Sequence, residues 1–195
     1  MNFPRALVSF KQLVWLSIFA SGVCLSALGE VRLPSVFSDH MVLQQGKSVQ
    51  IWGWAVAGEK VEVEIAGQKV STTANAKGEW RIALSALKAG GPYTLTVRGL
   101  NKLEFTDVLI GEVWLCSGQS NMEMGVALCD GAEQAIAAAD QPQIRLLPVP
   151  NRWMPQPQSD IEATWRVCTP TSVKDGGWAA SPLAPITLAA NCNRS

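Results

Sequence analysis

The sequence predicts a mixed α and β fold: an N-terminal β-sandwich of immunoglobulin-like size, then the incomplete start of an α/β domain. Short strands with alternating apolar residues recur from residue 31 to about 107. From Asp107 onward the alternation gives way to dense apolar runs, the pattern of strands covered on both faces. A helix-forming stretch then separates two such runs, in β-α-β order.

In the first segment, Val49, Ile51 and the Trp52/Trp54 pair lie in one strand-like run. Val61-Glu62-Val63-Glu64-Ile65 alternates cleanly, which turns the apolar residues inward and the glutamates outward. Ala66-Gly67-Gln68 reverses the chain. Trp80 to Leu84 and Tyr93 to Val97 are two further strands, and Gly90-Gly91-Pro92 between them reads as a turn. In the second segment, Val108-Leu109-Ile110 and Val113-Trp114-Leu115 read as buried strands. Gly131 to Ala139 is a good helix former. Ile144 to Leu147 is a strand, a loop with Pro148, Pro150, Pro155 and Pro157 follows, and Trp165 to Cys168 is a short strand beyond it. Two or three strands and one helix cannot cover both faces of a parallel sheet, so this segment reads as a piece of a domain.

Composition bounds the function. The 195 residues are 48% apolar, with 16 basic and 16 acidic side chains. That is globular, not disordered, and without a basic run it excludes a nucleic-acid partner. Residues 1–29 read as a secretory signal. Arg5 and Lys11 precede the apolar stretch Leu13 to Ala20, and Ala27-Leu28-Gly29 fits a cleavage site. A membrane anchor is the other reading, but the unbroken apolar run is short for a span. Ser21-Gly22-Val23-Cys24 is a poor lipoprotein site. Cleavage leaves a mildly acidic chain of about −2 with no membrane partner, exported to the periplasm or outside the cell. Export permits disulfides among Cys116, Cys129, Cys168 and Cys192, whose pairing stays open. Cys116 is most simply a buried thiol. Without Cys-x-x-Cys spacing and with one histidine, no zinc site is expected.

The chemistry concentrates in Gly111-Glu112-Val113-Trp114-Leu115-Cys116-Ser117-Gly118-Gln119-Ser120-Asn121-Met122-Glu123-Met124. It reads as a strand, a glycine turn and the first turn of a helix, with Ser120 at the junction. Two readings fit Ser120. Ser120-Asn121-Met122-Glu123 matches a capping box, so the serine is a helix N-cap. The same geometry presents a hydroxyl as an acyl-transfer nucleophile beside backbone N–H donors. The two are compatible. The base is the difficulty. His40 is the one histidine, in the sandwich segment, and neighbouring Asp39 points the other way on an extended chain. His40 reads as a structural residue at a turn. No Ser-His-Asp set is present as written.

The block Gly111 to Met122 resembles the nucleophile block of the sialate O-acetylesterases, a carbohydrate-esterase branch of the SGNH hydrolases. Leu33 to Gln44, Trp52-Gly53-Trp54-Ala55, Gly78-Glu79-Trp80 and Trp165 to Pro170 resemble other parts of that family, so the likeness runs from about residue 31 to 175. The resemblance implies Ser120 as nucleophile, its own N–H in the oxyanion hole, O-acetylated sugars as substrate and no metal or organic cofactor. The family's Asp-x-x-His pair has no counterpart in these residues. The implied domains are a β-sandwich at 30–107 and the N-terminal part of an SGNH-like α/β esterase domain at 108–175.

From Gly176 the likeness stops. The family continues there with an aromatic helix and Gly-Arg-Glu-Leu, and codons for Pro185 to Asn193 can be chosen so that a shifted frame reads Tyr-Tyr-Phe-Gly-Arg-Glu-Leu-Gln. We therefore expect 176–195 to be a frameshifted or aberrant tail, and the chain to be a truncated esterase, inactive alone. Two alternatives stand beside a sialate O-acetylesterase. One is a non-catalytic carbohydrate-binding or structural sandwich, in which Trp52, Trp54 and Trp80 stack on sugars or form core. The other is an esterase of acetylated xylan. The sequence sets no oligomeric state.

Overall fold

The computed structural model describes residues 30–116, 124–150 and 152–174. Among them nine strands dominate and the helices are short. The strands are β1 (Val42–Gln44), β2 (Val49–Trp54), β3 (Lys60–Ile65), β4 (Gln68–Thr73), β5 (Glu79–Leu84), β6 (Gly90–Arg98), β7 (Lys102–Gly111), β8 (Gln141–Leu146) and β9 (Arg166–Cys168). The helices are α1 (Ala132–Ala137) and α2 (Pro170–Lys174), with a 3-10 turn at Val126–Leu128.

Five strands form one sheet in the order β1-β7-β6-β3-β4. All its pairs are antiparallel except β1 with β7, which run parallel. β2 and β5 form a separate antiparallel pair. The predicted alternation of β3 is observed: Val61 and Val63 are fully buried, Ile65 nearly so, and Glu64 is exposed. Their neighbours on β6, Leu95 and Val97, are equally buried, and Ile51, Trp80, Ile82 and Leu84 of the two-stranded sheet complete the same core. Ala66 and Gly67 join β3 to β4 as a two-residue loop with positive φ at both residues, 47° and 79°. That is the turn whose twist suits a hairpin.

Several expectations change. Two strands are new: β1 is an apolar run of only three residues, too short to signal a strand, and β4 carries no apolar alternation and lies at the sheet edge with its side chains alternately half-buried and exposed. Gly90-Gly91-Pro92 is not a turn but the start of β6, where the register with β7 shifts. The change of pattern at Asp107 falls inside one strand. β7 is half exposed up to Asp107 and buried from Val108 to Gly111, because only that second half has β1 on its other edge. Val113-Trp114-Leu115 is not a buried strand: no strand covers 112–116, and Trp114 and Leu115 are 60% and 83% exposed. β1 ends opposite Gly111, so the described sheet offers those residues no partner. Cys116 is accordingly half-buried rather than buried.

Beyond residue 124, the helix and both strands expected from the sequence are present, but β8 and β9 pair antiparallel. The chain joining them is an extended proline-rich loop over its described residues, not the helix of a parallel crossover. Ala139, Leu146, Cys168 and Val173 form a small second core. The loop returns to the first one. Leu147, Ala163 and Trp165 join the main core, and the Trp165 indole N–H donates to the Val36 carbonyl at 2.8 Å. No helix among the described residues is long and apolar enough to cross a membrane.

Candidate functional site

Strand β7 delivers the chain to the serine block. At its end, Gln45 N–H bonds the Gly111 carbonyl at 2.9 Å, extending the β1 pairing by one residue. From there side chains replace the sheet. The Glu112 carboxylate accepts hydrogen bonds from Gln44 Nε2 at 3.0 Å and Gln45 Nε2 at 2.7 Å. Gln44 Oε1 in turn accepts the Val113 N–H at 2.9 Å. The two glutamines hold the Glu112 carboxyl below its ordinary value, Gln44 most strongly. This clamp sets the direction in which the chain leaves the sheet. No local pattern signals it, since the partners lie 67 and 68 residues apart.

Ser120 lies outside the described residues, as do Ser117 to Glu123 around it. The described chain resumes at Met124 and enters the 3-10 turn at Val126.

His40 sits at a turn with a positive φ of 65°, as a structural residue there would. Its Nδ1 is 2.6 Å from Asp107 Oδ2. Asp39 turns away, accepting the Thr106 N–H at 2.6 Å and its hydroxyl at 3.0 Å. The carboxylate that orients His40 is thus Asp107, which sequence reasoning missed. Arg145 of β8 also reaches Asp107, its Nη2 2.9 Å from both carboxylate oxygens, while Nη1 donates to the Pro142 carbonyl. The Arg145 side chain is 4% exposed, so this ion pair is nearly dry on one side. The Asp107 carboxylate ties the turn at His40 to β7 and β8. With its oxygens shared between an imidazole and a guanidinium, it serves as a link between elements. Cys168, on β9, is a thiol whose pKa is raised by burial and by nearby Asp140. Among the described residues no three His, Cys, Asp or Glu side chains converge as a metal site requires.

No family model matches the chain. Individual proteins do. The sialate O-acetylesterase of Pongo abelii is 34% identical over 145 residues, covering 68% of this chain and 28% of that protein. The enzyme of that name from Rattus norvegicus is 41% identical over 108 residues, 49% of this chain and 20% of its own length. The matched part of the chain belongs with the sialate O-acetylesterases. A carbohydrate acetylesterase from Xanthomonas citri agrees in structure: TM-score 0.72 and 38% identity, over 74% of this chain and 34% of that one. The chain spans about a quarter of the length of the curated sialate O-acetylesterases it matches. These relatives are esterases, and the mostly β architecture is one that a carbohydrate acetylesterase shares.

Proposed function

We propose that this chain is the nucleophile-bearing part of a secreted carbohydrate O-acetylesterase that hydrolyses O-acetyl esters of sialic acid. Ser120 Oγ attacks the acetyl carbonyl, and its own N–H helps hold the oxyanion. The sugar hydroxyl leaves with a proton, and water then releases acetate and restores the serine. The observation that carries this reading is the block Gly111 to Met122, in a chain that matches sialate O-acetylesterases at 34–41% identity. The Gln44/Gln45 clamp on Glu112 supports it, because a nucleophile loop needs a fixed point of departure.

In the same proposal, residues 1–29 are the export signal and 30–107 an immunoglobulin-like sandwich. Residues 108–175 open an SGNH-like α/β domain, and 176–195 are an aberrant tail. The shared core of the five- and two-stranded sheets supports the sandwich. The base is not supplied by these residues. His40 is the one histidine, and it sits at a turn of the sandwich segment, where it reads as a structural residue. The 195 residues alone therefore turn over acetyl esters negligibly.

Acetate release tests this. O-acetylated N-acetylneuraminic acid and acetylated xylan are offered to the 195-residue chain, and to the product of the gene read onward in the frame that restores family sequence. We expect turnover of the sialic acid ester by the longer product only, lowered by Ser120→Ala on the order of 10⁴-fold or more. Turnover that survives Ser120→Ala refutes the nucleophile. Turnover by the 195 residues that Ser120→Ala abolishes refutes the missing base, and preference for xylan refutes the substrate.

A further inference from the structure

The two-stranded sheet has an unusual outer face. Its register pairs Trp52 with Arg81, Gly53 with Trp80 and Trp54 with Glu79. Because side chains alternate across a strand, Trp52, Trp54, Glu79 and Arg81 share one face, opposite Ile51, Trp80 and Ile82 in the core. An outer face is ordinarily polar throughout. Here two half-buried indoles about 7 Å apart along the strand stand beside a carboxylate and a guanidinium. Together with Asn75 and Trp80 they line an open cavity of about 470 Å³.

The indoles and the carboxylate are held in place. The Arg32 guanidinium carbon lies 5.5 Å from the centre of the Trp54 ring, and Phe37 meets Trp52 edge-on at 4.8 Å. Asn75 Oδ1 accepts the Lys77 and Glu79 N–H groups, and Asn75 Nδ2 donates to Glu79 Oε2 at 3.1 Å. Such preorganisation lowers the cost of taking a ligand.

We propose that this face is a non-catalytic binding site for a neutral pyranose. A sugar ring has an apolar C–H face, which an indole covers, and a hydroxyl edge, which carboxylate, amide and guanidinium groups bond in pairs. Glu79 and Arg81 cancel in formal charge, so the lining carries no net charge and its polar groups suit the hydroxyls of a neutral sugar. The site lies on the β2-β5 sheet and does not depend on Ser120. It would hold a glycan against the protein whether or not an ester is cleaved.

Ligand-observed saturation-transfer NMR on the 195-residue chain tests this with methyl β-D-galactopyranoside. We expect transfer to the ring C–H protons, an affinity about tenfold lower in Trp54→Ala and severalfold lower in Glu79→Gln. No transfer to the sugar from the unaltered chain overturns the proposal. So does transfer that is undiminished in a folded Trp54→Ala variant. If Trp54→Ala does not fold, Glu79→Gln decides, since it removes the charge with almost no change of shape, and unchanged affinity there overturns the proposal as well.

Discussion

Val108-Leu109-Ile110 and Val113-Trp114-Leu115 are two apolar triplets two residues apart, and they have opposite fates. The first is buried, at 0%, 5% and 2% exposure, and the second lies 38%, 60% and 83% open. Residue type does not separate them. The strand partner does: Leu109 and Ile110 pair with Val42 and Leu43, and β1 ends opposite Gly111. Past that point the chain is held by Gln44 and Gln45 through Glu112, so backbone pairing gives way to side-chain bonds where the chain heads for the serine. A rigid strand thus ends in a short polar clamp built from side chains.

The largest effect is expected where the two regions meet. Asp107→Ala strands the buried Arg145 guanidinium without its counter-charge, and we expect a loss of about 3 kcal/mol or more in chemical denaturation. A loss under about 1 kcal/mol would show that Arg145 finds another partner. Next, Leu109→Ala should cost about 3 kcal/mol, while Leu115→Ala stays within about 0.5 kcal/mol. Equal losses would erase the contrast between the triplets.

A third prediction concerns pH. The Glu112 carboxyl is depressed in the folded chain, so its charged form is the one the fold favours. The contribution is present above the ordinary value of 4.5 and is lost as pH falls through the lower folded value. The protection of the Val113 amide, its exchange measured relative to the intrinsic rate at each pH, should therefore fall on acidification below 4.5, and Glu112→Gln should remove that dependence. A Val113 protection that stays constant with pH in the unaltered chain would break the clamp. The smallest effect is Ala66→Gly, which relieves a non-glycine residue at φ 47° and should stabilise the hairpin by about 1 kcal/mol.

What the sequence made legible follows the same division. Strands β2, β3 and β5 were readable because each buries one face and leaves the other wet, so period two is written into their residues. β4 lacks that signature, and Gly90-Gly91-Pro92 carries turn residues inside a strand whose register shifts there. Val113 to Leu115 misled because apolar content alone stands for burial only when a partner exists. Around the candidate site, Ser120 could be singled out from its own block. Its supports could not: Gln44 and Gln45 reach Glu112, and Asp107 reaches His40, across 67 or 68 residues, and no local spacing encodes such contacts.

Covalent labelling reads the Ser120 nucleophile directly. The product of the gene read onward in the family's frame is treated with a p-nitrophenyl phosphonate, and the adduct is located by peptide mass spectrometry. We expect a single adduct on Ser120, blocked by prior incubation with an O-acetylated sialic acid. An adduct on a different residue, or none on a product that still releases acetate, would contradict it.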